Sequence, residues 1–158
     1  MQKDSAHKSI WQTTDAMILI TLFISVILDK FVINIEIASI PTSLRLVVGI
    51  LFVFVGLLII TLAKKEFYKE KQPSGPGKPT KKMVNSGVFK YSRNPLYLGV
   101  IITIIGLGFS FHNYWLVVLV LPLSIVIHYA LIIPEEQYLV DVFGNSYKEY
   151  LKNVRRWL

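Results

Sequence analysis

The sequence predicts an all-α integral membrane protein, a single membrane domain over 1–158 with about four transmembrane helices. Three observations carry that reading. Of the 158 residues, 53% are apolar and only 17% charged, where soluble domains average roughly 45–50% and about 25%. The 41 residues from Asn94 to Pro134 contain no Lys, Arg, Asp or Glu, enough for two spans of about 20 residues each. The chain has no cysteine, which excludes a disulfide scaffold, a thiolate nucleophile and a thiolate metal site.

Residues 1–63 hold two N-terminal spans. The first, Ala16 to Leu28, is 13 uncharged residues interrupted by Asp29–Lys30 and continued weakly through Phe31–Ile35. It falls short of the roughly 17–25 residues of a full span, so it uses its flanks or lies partly in the interface. It lacks a small-residue cleavage site and further spans follow, so it is a retained helix and not a signal peptide. The second, Leu46 to Ala63, is a cleaner 18 residues bounded by Arg45 and Lys64–Lys65.

Residues 64–94 form a basic loop. Its Pro73-Ser74-Gly75-Pro76-Gly77-Lys78-Pro79 stretch is too punctuated for a helix. Residues 95–133 form a tight helical hairpin, Pro95–Phe111 and Tyr114–Ile133, because the His112–Asn113 link is too short for any other connection. Pro95 suits the first turn of the third span, where its missing N–H costs nothing. Residues 134–158 are C-terminal helices. Phe143-Gly144-Asn145 reads as a helix stop, and Ser146-Tyr147-Lys148-Glu149 has capping-box spacing for a final short helix ending near Trp157.

Charge sets the orientation. Lys64–Arg93 holds nine of the 17 Lys and Arg residues and the tail after Ile133 four more. With both termini inside, 15 of the 17 lie on the cytoplasmic face, as the positive-inside bias requires. The excess of +7 is then topology and attraction to anionic headgroups of the bilayer, and nucleic acid is not an expected partner.

All the informative non-membrane sequence lies on that face. Arg93 stands at the membrane surface just ahead of a helix N-terminus, with Tyr91 and Tyr97 nearby; lipid anchoring in an aromatic belt is the plain alternative. Glu135-Glu136 emerges where hydrocarbon ends, either as favourable charge at a new helix start at Pro134 or as acceptors for a cationic or hydroxyl-rich ligand. Adjacent spans bring their cytoplasmic ends together, so Arg93-Asn94-Pro95-x-Tyr97 and Glu135-Glu136 must converge. That convergence points to a site.

The run Gly87-Val88-Phe89-x-x-Ser92-Arg93-Asn94-Pro95-x-Tyr97-x-Gly99 resembles the Gly-x-aromatic…Arg-(His/Asn)-Pro-x-Tyr-x-Gly motif of the isoprenylcysteine carboxyl methyltransferase and phospholipid methyltransferase superfamily. Glu135-Glu136-x-x-Leu139-x-x-x-Phe143-Gly144-x-x-Tyr147-x-x-Tyr150-x-x-x-Val154-x-Arg156 is similar to its C-terminal signature. The match covers roughly residues 80–158; the N-terminal spans match only in hydropathy.

The resemblance implies S-adenosylmethionine-dependent methyl transfer by an integral membrane enzyme of prokaryotic type, set in the inner membrane, without metal. It places Lys82, Met83, Val84, Phe89, Asn94, Pro95, Tyr97, Glu135 and Glu136 around the cofactor. Arg93 and His128 are the candidate catalytic residues. Arg93 suits the cofactor carboxylate, and His128, seven residues before Glu135, suits deprotonation of an amine acceptor; its plain alternative is a packed intramembrane histidine. Phe89 and Tyr97 offer faces to a sulfonium. The acceptor is an amphiphilic lipid-like or prenylated molecule, methylated on oxygen or nitrogen.

Two features depart from the pattern. Asn94 stands where the eukaryotic carboxyl methyltransferases have His. Leu131 stands where those enzymes have an Arg tied to the substrate, which weakens the expectation of a prenylcysteine carboxylate. Gly106-Leu107-Gly108 is similar to the Gly-x-Gly credited to phospholipid N-methyltransferases, but lies toward the outer end of the third span, and the stripe Gly99, Thr103, Gly106 reads as close helix packing. Two competing readings are an NADPH-dependent sterol-type reductase, whose motif is similar but which usually carries an Arg-Asp-type pair in place of Glu135-Glu136, and a non-catalytic membrane scaffold.

Overall fold

The computed structural model describes residues 14–32, 40–71 and 80–158; the Pro73–Pro79 loop and the continuation of the first span beyond residue 32 lie outside them. The described secondary structure is helical, with no strand among those residues. Helix α1 spans Thr14–Phe31 and α2 Thr42–Lys69; a 3-10 turn covers Gly87–Lys90. Then come α3 (Pro95–Ser110), α4 (Tyr114–Ile127), a π turn (His128–Ile132), α5 (Ile133–Phe143) and α6 (Asn145–Asn153).

Helix α1 runs through Asp29–Lys30 without a break. Lys30 falls in the last turn and Asp15 in the first, where the helix dipole favours each sign, so the charges close the helix rather than interrupt it. Helix α2 has 28 residues, about 42 Å, and so outruns a hydrocarbon layer of about 30 Å. Its last turns carry Glu66 and Phe67 beyond the apolar run. Only 17% of its apolar window is buried, and Val47, Ile50, Leu51 and Phe54 stand exposed. A soluble core helix would be covered, and soluble monomers rarely show an apolar surface of this extent. Among the described residues two helices are long and apolar enough to cross a membrane, Thr42–Lys69 and the continuous Tyr114–Phe143; Pro95–Ser110 is a shorter apolar helix.

The helices pack side by side in the order α2, α3, α4, α1. The α2–α3 seam is a contact of backbones: a Cβ on Gly56 would lie 2.6 Å from the Gly99 carbonyl, and one on Gly106 2.7 Å from that of Gly49. Small residues at seven-residue spacing on both helices permit this approach, so the Gly99–Thr103–Gly106 stripe is a packing surface. The hairpin turns at His112, φ +57. Asn113 then caps α4 by accepting the Leu116 N–H at 3.3 Å and donates to Ser25 of α1 at 3.4 Å. A core of Ile104, Leu116, Leu123, Ile127, Leu131 and Ile132 joins α3, α4 and the π turn.

Three boundaries in the C-terminal part differ from the sequence expectation. No new helix begins at Pro134: the fourth helix continues through it to Phe143. A proline ring clashes with the carbonyl four residues back in a regular α-helix. Here the π turn widens the ladder just before it, with Ile133 N–H donating to His128 O. The stop at Gly144 is present, φ +57, but α6 starts at Asn145 with no side-chain cap, which puts Ser146 inside the helix and leaves the expected capping box unformed. It also ends at Asn153, short of Trp157, because Val154 turns extended and the chain crosses back over the start of α3.

Candidate functional site

The residues after α6 form a strap over the N-terminus of α3. Arg93 N–H donates to the Arg155 carbonyl at 3.0 Å. The Arg156 carbonyl accepts from Asn94 Nδ2 at 3.1 Å and from Ser92 Oγ at 3.4 Å. Asn94 precedes α3 but makes no side-chain cap to it; its amide is turned to the strap instead. Trp157 packs against the hydrophobic core, which holds the strap down at its far end.

The Arg156 side chain reaches back to α5. Its Nε donates to Glu136 Oε1 at 3.1 Å and its Nη2 to Oε2 at 2.7 Å, a bidentate pairing of the strong kind. Arg93 approaches the same carboxylate, Nη2 to Oε1 3.3 Å, and donates from Nη1 to the Leu151 carbonyl at 3.4 Å. Glu136 is therefore buried between two guanidiniums. The Nη1 of Arg156 lies 3.2 Å from His128 Nε2. A guanidinium can only donate, so in this contact Nε2 takes the part of acceptor. The Glu136 bond raises the Arg156 pKa above its ordinary value.

Glu135 takes the other side of α5. Its Oε2 accepts from Tyr97 Oη at 3.0 Å. A cavity opens between this pair of carboxylates and the loop before α3. Glu135, Glu136, Arg93 and Asn94 supply its polar wall; Phe67, Phe89, Tyr147 and Tyr150 supply aromatic faces. Met83, Val84 and Leu139 close it. Burial pushes the Tyr150 phenol up to about 12. Burial also raises Tyr147, with the Glu136 carboxylate adding to it. Both phenols are thus protonated at neutral pH. Tyr150 spends its proton on the Phe89 carbonyl at 2.6 Å. Among the described residues, the buried Arg93 Nε–H at this cavity has no acceptor.

Seven of the residues singled out in the sequence meet at this cavity: Met83, Val84, Phe89, Arg93, Asn94, Glu135 and Glu136. Tyr97 lies behind Glu135, and Pro95 is buried in the first turn of α3. His128 lies behind Arg156 and not on the cavity wall. Lys82 is 67% exposed and paired with Glu70 at 3.4 Å. Leu131 is 1% exposed inside the core, so an arginine there would be buried among aliphatic side chains. Gly106 faces Val53 and Gly49, and Gly108 faces Val117 and Asn113; helix packing takes up the Gly-x-Gly.

Four wall or frame residues were not anticipated: Phe67, Tyr147, Tyr150 and Arg156. The last three carry a signal, since they occupy fixed places in the pattern that begins at Glu135. Phe67 carries none. It lies four residues past the end of the apolar run, amid charge, where only the length of α2 brings it to the site.

A family model described as phospholipid methyltransferase matches residues 44–146. The match takes in α2, the basic loop, the hairpin and Glu135–Glu136, and ends before the strap. No curated protein and no solved structure gives a match.

Proposed function

The chain belongs to the phospholipid methyltransferase family, and from that premise we propose that it is an integral membrane enzyme using S-adenosylmethionine to methylate a lipid-like amphiphile at the cytoplasmic face. One observation supports this above others: the two stretches that carry the resemblance, Gly87–Gly99 and the pattern that begins at Glu135, meet around one cavity of mixed charge and aromatic faces.

The side chains fit such a donor. The unpartnered Arg93 Nε–H and the Asn94 amide suit its carboxylate. Glu135 suits its ammonium or ribose hydroxyls. Phe67, Phe89 and Tyr147 present ring faces of the kind that tolerate a sulfonium. When bound, the donor supplies an electrophilic methyl group on sulfur. The protein then has to align the acceptor and keep water out, and alignment alone carries much of the rate in an in-line displacement. Met83, Val84 and Leu139 provide the dry part of the wall. The His128 lone pair on Nε2 is occupied by Arg156, so an amine acceptor would lose its proton elsewhere, with Glu135 the carboxylate in reach of the cavity.

In the membrane we place α1 to α4 as four spans, with both termini and the cavity on the cytoplasmic side. The lack of cysteine makes labelling direct: a cysteine at Asn145 should react only from the cytoplasmic side and one at exposed Phe111 only from the other. The test of function is calorimetric titration of the purified protein with S-adenosylhomocysteine and, separately, NADPH. Binding of the first alone is expected. Binding of NADPH alone would make the chain a reductase relative, and binding of neither would favour a scaffold.

A further inference from the structure

Glu66 has no place in the motifs and does not line the cavity, yet it is buried at the end of α2. Its Oε2 accepts from Ser86 Oγ at 2.6 Å, and its Oε1 pairs with Lys69 at 2.6 Å. Gly87 presses directly on it: a Cβ there would fall 2.7 Å from the Glu66 carboxyl carbon. Gly87 also holds φ +56, a conformation that side chains disfavour. So Ser86–Gly87 is shaped to receive this one carboxylate. A turn later Phe89 sets its ring edge-on to Phe67, the neighbour of Glu66, at 5.3 Å, and its carbonyl is held by Tyr150 from α6.

We infer that Glu66 is a positioning residue, a latch that fastens the Ser86–Gly87 turn to α2 and so sets the Phe67–Phe89 wall of the cavity. The loop is otherwise fastened to α5 and α6, through Thr80 N–H on Tyr138 Oη at 3.3 Å and through Tyr150, and to the end of α2 by the exposed pair of Lys82 and Glu70. Glu66 is the buried carboxylate that ties it to the opposite side of the cavity. Without it the wall can part along the line between α2 and the loop. The consequence for ligand rests on the methyl-donor reading; the latch itself does not.

The experiment uses the full chain in detergent, as wild type, Glu66→Ala, Glu66→Gln and Ser86→Ala. Ser86→Ala removes the same bond from the loop side and leaves α2 untouched. Amide hydrogen exchange over residues 84–91 reads the latch without ligand, and S-adenosylhomocysteine titration reads its effect. Faster exchange and about tenfold weaker binding are expected in Glu66→Ala and Ser86→Ala, on the scale of one lost charge-assisted bond. Glu66→Gln, which keeps the shape and one acceptor, should return both toward wild type. Unchanged exchange in Glu66→Ala and Ser86→Ala overturns the latch. Faster exchange with unchanged affinity overturns the positioning role and leaves the donor reading intact. A wild type that binds no S-adenosylhomocysteine sinks the donor reading and the positioning role with it, while the exchange data still decide the latch.

Discussion

Along the α2–α3 seam, Gly49 and Gly56 meet Gly99 and Gly106 backbone to backbone; Thr103 bonds within its own helix to the Gly99 carbonyl at 2.8 Å, and Arg45 crosses one end of the seam to the Phe109 and Ser110 carbonyls at 2.8 and 3.2 Å. At the cavity, by contrast, Glu136 is held by Arg93 from 43 positions earlier and Arg156 from 20 later. Asn94 and Ser92 are held by a carbonyl more than 60 residues away. The seam is closed mainly by contact of backbones, with Arg45 reaching across one end of it. The cavity satisfies its polar atoms across the fold and, among the described residues, still leaves the Arg93 Nε–H without an acceptor. The comparison teaches that tight packing and ligand readiness are separate properties here, carried by different chemistry.

The largest effect should come from breaking the charge network. Glu136→Ala leaves two guanidiniums facing each other without their counter-charge, and removing one partner of a buried pair costs about 3–5 kcal/mol, less here where water reaches Arg156. Denaturation should show a loss toward the lower figure, and calorimetry should show no S-adenosylhomocysteine binding. Full stability with wild-type affinity would remove the network from both roles.

Gly56→Val attacks the seam instead. Its Cβ would meet the Thr103 side chain and the Gly99 backbone, an overpacking cost of about 1–3 kcal/mol. The melting midpoint should fall, while the protein that remains folded should bind S-adenosylhomocysteine within about twofold of wild type, since distant sites act independently. A loss of affinity as large as that of Glu136→Ala would erase the distinction between the two regions.

Tyr97→Phe is a finer probe. It takes the phenol donor from Glu135 and should weaken S-adenosylhomocysteine binding by about fivefold, the scale of one hydrogen bond of about 1 kcal/mol. An unchanged Kd would mean that Glu135 is held in place by something other than this phenol. Smallest of all, Glu149→Ala changes an exposed carboxylate of α6 and should leave stability within about 0.5 kcal/mol. A clear loss of binding there would extend the site onto the outer face of α6.

Much of the fold was legible because hydropathy and chain length are local properties. The hairpin followed from a two-residue link, and the convergence of Arg93 with Glu135–Glu136 followed from connectivity alone. The length of α2 was less legible: Lys64 and Lys65 end the apolar run, but they do not end a helix, since lysine is a good helix former. That extension is what delivers Glu66 and Phe67 to the cavity.

The amino-acid sequence by itself determined the apolar helices, the glycine faces that let α2 and α3 meet, and the end of the molecule at which charge gathers. Tertiary structure alone decided which charges pair. Arg156, and not a residue on the fourth helix, supplies the cation beside Glu136 and His128, because α6 stops at Asn153 and the chain doubles back. Leu131 turns into the core because the π turn before Pro134 shifts the register of everything ahead of it. Local patterns follow from the preferences of neighbouring residues, whereas an ion pair depends on where distant backbones come to rest, and a single widened turn is enough to change which face each side chain presents.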